Sequence, residues 1–290
     1  MEKKVITVAI LGCGSRGADS YGLYLNKDER FDIVSLCDIR KHKVERFKKE
    51  FSVKDELCFT SEDEFFKARR ADAIIIATQD KDHVRHAIKA LKLGYDILLE
   101  KPVTASKKEC YDLLKTQKQY GGKIVVCHVL RYAPVFVQVM NLLEEGVIGK
   151  LVDIQAIEQV AYWHQAHSYV RGNWRNEKEA SPMIMAKCCH DMDLLQYYAK
   201  SKCKTISSIG DLSFFKKDNQ PEGASDRCDT CKFYKSCPYS AYRVYIERWK
   251  NAGSPKSMWP MNVVSNEAIL TEDGIEKAYK ASNYGQCVFA

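Results

Sequence analysis

An apolar run from Val5 to Leu11 feeds directly into Gly12-Cys13-Gly14-Ser15-Arg16-Gly17, a GxGxxG set where a strand must turn into a helix. Few short patterns restrict a fold as narrowly. The first glycine permits a tight turn, the second lets backbone approach a pyrophosphate, and the third lets the helix pack closely. The helix N-terminus then faces anionic groups. A second buried run, Ile33 to Cys37, ends at Asp38, 21 residues beyond Gly17, where a carboxylate can bind ribose hydroxyls. Together they point to a dinucleotide turn, with Gly12, Gly14, Ser15, Arg16 and Gly17 about the phosphates and Asp38 about the ribose. Asp38 favours NAD, since a 2′-phosphate would meet a carboxylate. Arg40 and Lys41 soften that repulsion, so NADP stays the alternative. A plain strand-to-helix turn is the bland reading, and Asp38 weighs against it.

The same rhythm continues. Ala73 to Ala77, Tyr95 to Leu99 and Ile124 to Cys127 read as further buried strands, β-branched and unbroken by charge. Between them run amphipathic stretches such as Asp82 to Leu93, with Val84, Ala87, Ile88 and Leu91 at helical spacing and Gly94 as a stop. Residues 1–125 therefore read as α/β, a Rossmann-type doubly wound parallel sheet. Residues 126–290 read as a second, α+β domain: a helix from Pro134 to Glu145, a strand from Leu151 to Val160, and an aromatic loop from Tyr162 to Ala180. Further strand signals near Ser207 and Tyr284 are too few for a full sheet, and residues 216–240 form a polar, cysteine-bearing insertion. A sheet that small would expose an apolar face, which favours association.

Composition excludes several classes. The formal charge of +7 is spread along the chain with acids interleaved, without the basic stripe of a nucleic-acid binder. No apolar run approaches the roughly 18 to 20 residues that a membrane span needs. Twelve cysteines in a chain too long to need staples, several inside strand-like runs, point to a reducing cytoplasm.

A lysine, Lys101, follows the fifth strand in Glu100-Lys101-Pro102, at the carboxyl end where such sheets bind ligands. With that tripeptide the chain resembles the glucose-fructose oxidoreductase, inositol dehydrogenase and MocA family (Gfo/Idh/MocA). The resemblance rests on Gly12 to Gly17, Asp38, Thr78 with His83, and Glu100-Lys101-Pro102. It extends through Arg131-Tyr132, Gly149-Lys150-Leu151 and His190-Asp191-Met192-Asp193. It implies a Rossmann domain followed by an open-faced, mainly antiparallel sheet, and NAD(P)-dependent oxidation or reduction of a sugar, cyclitol or related polyol. It further implies a homo-oligomer and a chain shortened at its C-terminus. By the same resemblance Thr78, His83, Glu100 and Arg40 join the cofactor residues, and Lys101 and His190 are the catalytic pair. A neutral imidazole suits the removal of an alcohol proton. Many members carry Asp four residues before that histidine. Here the position is Ala186, and the adjacent Lys187 is the candidate to take over part of its role. The rival reading is a non-catalytic or defective dinucleotide-binding protein. The bland alternative for His190-Asp191 is a helix start.

Arg131, His164, Trp174 and Arg175 are the candidate substrate residues: rings pack on sugar C–H faces while Arg and His bond hydroxyls. Cys228-x2-Cys231-x5-Cys237 has metal-ligand spacing for zinc or an iron–sulfur cluster. Only three ligands are local, so Cys203 or a residue brought in by the fold would have to complete the set. Unligated thiols or a disulfide are the favoured reading of that loop.

Overall fold

The computed structural model describes residues 4–265 and 267–290. Six parallel strands form one sheet in the order β3-β2-β1-β4-β5-β6. They are β1 (Ile6–Leu11), β2 (Phe31–Cys37), β3 (Cys58–Phe59), β4 (Ala73–Ile76), β5 (Asp96–Leu99) and β6 (Ile124–Val126). Five of them coincide with the expected runs; the two-residue β3, beside Leu36 and Cys37, is too short to leave a periodic signal. The order reverses between β1 and β4, so a crevice opens at the carboxyl ends of those two strands, where doubly wound sheets bind ligands. Val8 to Leu11 and Ile74 to Ile76 are buried, because helices cover both faces.

The helices follow their patterns. α1 (Lys41–Glu50) turns Val44 and Phe47 inward, and α2 (His83–Lys92) buries Val84, Ala87 and Leu91. α3 (Lys107–Tyr120) starts where the Ser106 hydroxyl accepts the Glu109 N–H at 3.3 Å. In the second half α4 (Pro134–Glu144), α5 (Cys189–Ala199) and α6 (Glu272–Lys280) are joined by short turns. They surround a separate core that includes Val244, Tyr245, Met261, Ile275 and Tyr279.

The second half corrects the strand expectations. Among the described residues no strand follows β6. Residues 151–160 and 202–213 lie in no regular element, and Tyr284 falls in a 3-10 turn, Asn283–Gly285. The physical reason is pairing. A strand is stable only against another backbone, and these stretches find none, so Val152 (90%), Ile157 (82%) and Ile209 (100%) stay exposed. The expected open-faced antiparallel sheet is therefore not built from these residues; a single antiparallel bridge, Arg227 to Gln286, is what remains of it. The aromatic stretch is also more regular than expected, with a helical turn at Tyr162–Gln165 and a π-helix at Ala166–Arg171.

Candidate active site

The glycine turn separates into two structural glycines and one open one. A Cβ on Gly12, whose φ is +96°, would lie 2.4 Å from the Ala77 carbonyl oxygen, and one on Gly17 would lie 2.0 Å from the Gly12 oxygen. A Cβ on Gly14 would meet nothing nearer than Arg40 Nη2, at 3.8 Å. The protein itself thus demands glycine at positions 12 and 17 but not at 14. The Gly14 carbonyl accepts the Ala18 and Asp19 N–H groups, whereas the amides of Gly14, Ser15 and Arg16 make no backbone hydrogen bond among the described residues. An open wall with unpaired donors is what an anionic group needs for close approach.

Asp38 holds this turn in place. Its Oδ2 accepts the Cys13 N–H at 2.8 Å, and its Oδ1 accepts the Arg40 N–H at 2.8 Å with the Arg40 guanidinium 3.4 Å away. The carboxylate is 7% exposed, so any group added at a ribose hydroxyl would meet a fixed negative charge.

At the neighbouring strand ends the expected residues divide. Glu100 is turned away from the crevice: it accepts the Tyr21 hydroxyl at 2.6 Å and the Lys101 N–H at 3.0 Å, tying β5 to the helix behind the glycine turn. His83 is fully buried, with its ring nitrogens 2.8 Å from the Pro102 oxygen and 3.2 Å from the Thr78 oxygen, so it staples two strand ends rather than lining a cleft. The Thr78 hydroxyl hydrogen-bonds His86 Nδ1 at 3.0 Å, and His86 Nε2 lies 2.6 Å from Glu62. Arg85 first, then His86 and Lys89, hold the Glu62 carboxyl well below the usual carboxylate range. Asp80, buried at the end of β4, accepts the Trp174 indole N–H at 2.8 Å and fixes the aromatic segment over the sheet edge.

Lys101 reaches across to the second half, where its Nζ donates to the Ala186 carbonyl at 2.8 Å. His190, in the first turn of α5, stands close enough for Lys101 to affect it. Burial, followed by the positive charges of Lys101, His128, Lys187 and Arg16, lowers its pKa from 6.5 to about 4. Its Nδ1 is buried without a partner, the direct consequence of Ala at position 186. Lys187 pairs with Glu158 at 3.0 Å, a residue on the unpaired 151–160 segment that periodicity could not single out. His164 is half-buried between Trp163, Tyr169 and Trp259 rings, and its pKa is lowered by burial and then by Lys187.

Two expected substrate residues are engaged elsewhere. Arg131 gives its fork to Asp193, two bonds of 2.7 Å, and stacks over Tyr197. Arg175 pairs with Glu179 within its own segment. Both fix local backbone, because a guanidinium that finds an adjacent carboxylate is held there by bidentate or short-range pairing. Asp80, Glu158 and Asp193 were missed by the sequence reading. Only Asp193, within His190-Asp191-Met192-Asp193, lay in a singled-out pattern.

An open glycine turn at the topological switch point, a fixed carboxylate at the end of β2, and a lysine beside a neutral histidine define a dinucleotide-binding protein of the Rossmann class. The chain belongs to the Gfo/Idh/MocA oxidoreductase family: residues 6–128 match the family's NAD-binding Rossmann fold and residues 140–234 its C-terminal alpha/beta domain. The Bacillus subtilis protein YteT is 23% identical over 88% of this chain and 56% of its own length. An inositol 2-dehydrogenase/D-chiro-inositol 3-dehydrogenase of Lactiplantibacillus plantarum is 27% identical over 51% of this chain and 43% of its own. The fold is similar to that of the Lactobacillus casei scyllo-inositol dehydrogenase with bound NAD(H) and scyllo-inositol, with a TM-score of 0.57, 17% identity, and coverage of 68% of this chain and 57% of that one. The chain spans about half the length of these relatives. No helix among the described residues is long and apolar enough to cross a membrane.

Proposed function

We propose that this chain is the cofactor-binding and catalytic portion of an NAD(H)-dependent dehydrogenase that acts on a CH–OH group of a cyclitol, sugar or related polyol. The observation that carries the reading is the reach of Lys101 Nζ to the Ala186 carbonyl, which brings an ammonium group beside the neutral His190 imidazole. The open face of Gly14, the unpaired amides and Asp38 fit a dinucleotide and would hold its pyrophosphate and ribose. Its nicotinamide, when bound, exchanges a hydride with the carbon that bears the hydroxyl. The protein's own part is proton and charge management. His190, neutral at pH 7, takes the hydroxyl proton, and the Lys101 ammonium steadies the negative charge that develops on the oxygen. Lys187, held by Glu158, contributes positive charge to the same region. His164 and Trp174 form the wall against which a polyol would pack, and buried Asp38 favours NAD over NADP.

Within this reading the border between the domains lies at residues 125 and 126. Twelve free thiols favour the reducing cytoplasm, and the exposed apolar 151–160 segment favours self-association. The orphaned His190 Nδ1 favours a second reading, a dinucleotide-binding protein without turnover. Incubation with NAD and a panel of cyclitols and sugars, followed by NADH absorbance, separates the two. The first expects NADH formation that depends on Lys101 and His190; tight NAD binding with no turnover on any polyol would sink it.

A further inference from the structure

The cysteine loop has a fourth member that spacing did not reveal. Cys228, Cys231, Cys237 and Cys287 all line one cavity of about 340 Å3, which lies between the insertion and the last residues of the chain. The bridge between Arg227 and Gln286 brings them together, and the Cys287 N–H donates to the Asp226 carbonyl at 2.8 Å. Cys203, the other candidate, is exposed and reaches only the Thr205 carbonyl nearby.

A second observation points into the same cavity. Arg171, at the end of the π-helix, is 1% exposed and lines it. Its Nε donates to the Gln286 carbonyl at 2.6 Å and its Nη2 to Cys228 Sγ at 3.3 Å, while its Nη1 has no partner. Among the described residues no carboxylate pairs with it, and the neighbouring Tyr245 hydroxyl is engaged with His167 at 3.0 Å. A guanidinium withdrawn from water without an anion is costly, so a buried arginine of this kind implies negative charge close by. The remaining walls are apolar, aromatic or sulfur, and the polar group in direct contact with the guanidinium is a thiol.

We propose that Cys228, Cys231, Cys237 and Cys287 bind a structural zinc ion as four thiolates, with Arg171 as the buried counter-charge. As the side chains stand, no three His, Cys, Asp or Glu groups among the described residues form a closed metal cluster. A cysteine sulfur swings about a single torsion, however, so thiols on one cavity wall can converge without backbone movement. Each thiol releases its proton to solvent on binding, and four thiolates about Zn2+ make a dianionic centre that the guanidinium partly neutralises. Zinc is the choice over an iron–sulfur cluster because hydride chemistry moves its electrons as a pair and needs no relay. The centre would clamp the insertion and chain end against the π-helix, since Ala166, Val170, Tyr239, Val288 and Phe289 share one apolar cluster with Cys287. His164 stands two residues before that helix, so the zinc would brace the wall of the proposed substrate site.

The test uses the full chain, purified without chelator and analysed for metals by mass spectrometry. The expected result is about one zinc per chain, released by a mercurial titrant together with four thiols. Cys287→Ser should lower zinc content at least tenfold, while Cys203→Ser leaves it unchanged and NADH affinity is kept in both. Should Cys287→Ser fail to fold, cobalt exchange into the unaltered protein decides the matter: strong thiolate-to-cobalt charge transfer supports the centre, and a spectrum without it overturns it. Four freely reactive thiols with no zinc, a disulfide among the four, iron with sulfide in place of zinc, or zinc undiminished in Cys287→Ser would each overturn the assignment.

Discussion

Replacing Gly14 by alanine separates a glycine kept for the fold from one kept for a ligand. An added methyl at position 14 meets only the Arg40 guanidinium tip at 3.8 Å, and the backbone there is not left-handed. Loss of chain entropy in the unfolded state should then leave stability unchanged or raise it by about 0.4–1 kcal/mol. At Gly12 the methyl would press on the Ala77 carbonyl in a backbone with φ +96°, so Gly12→Ala should cost more than about 1 kcal/mol. Binding should respond in the opposite sense at position 14. If the methyl holds a pyrophosphate away from one charge-assisted amide bond, the loss is about 1.5–3 kcal/mol, roughly 10- to 150-fold in NADH affinity. Thermal unfolding without nucleotide and fluorescence titration with NADH read the two effects separately. The reasoning fails if Gly14→Ala binds NADH as tightly as the unaltered protein, or if it is destabilised as much as Gly12→Ala.

Asp38→Ala should weaken NAD more than NADP, because it removes the fixed carboxylate that opposes a 2′-phosphate; competition titrations that leave the preference unchanged would argue against a ribose role. His190→Ala and Lys101→Ala should each lower turnover by about two to four orders of magnitude with little change in NAD affinity, as read by steady-state kinetics beside NADH titration. The acid limb of the turnover profile should fall near pH 4 rather than 6.5, since His190 acts as a base only while unprotonated. Trp174→Phe removes the donor to buried Asp80 and should cost about 1–3 kcal/mol in urea unfolding; an unchanged midpoint would show that the bond is dispensable.

Sequence alone was most informative where local chemistry decides structure. Val5 to Leu11, Gly12 to Gly17 and Asp38 specify a strand, its turn and a carboxylate without reference to distant residues, and the crevice follows from strand order. Partners that come from far along the chain left no such trace. Glu100 was read with the cofactor, yet Tyr21 engages its carboxylate from 79 residues away. Arg131 looks like a substrate guanidinium until Asp193 arrives from 62 residues away. Cys287 joins the cysteine loop only because residues 226–228 and 286–287 lie side by side. The second-half strands failed for a related reason: alternation at Leu151 to Val160 records what the segment could pair with, not whether a partner backbone is present.

A final consequence concerns acid stability. His167 is 2% exposed, with Nδ1 3.0 Å from the Tyr245 hydroxyl and its ring stacked 5.2 Å from Tyr284. Burial, followed by the positive charges of His164 and Arg171, lowers its pKa from 6.5 to about 3. The unfolded chain therefore takes up a proton near pH 6.5 and the folded chain only near 3. Between those values the unfolded state holds more protons, so stability is full above 6.5 and declines as the pH falls toward 3. At pH 4.5 the loss attributable to this ring is about 2–3 kcal/mol. His167→Gln keeps a polar group toward Tyr245 but cannot titrate. Whatever the substitution costs at pH 7, the further loss between pH 7 and 4.5 should be smaller than in the unaltered protein by about that amount. Urea unfolding at the two pH values measures both losses. Equal losses would mean that the ring is protonated in the folded state at pH 4.5, with water reaching the Tyr245 and Tyr284 contacts.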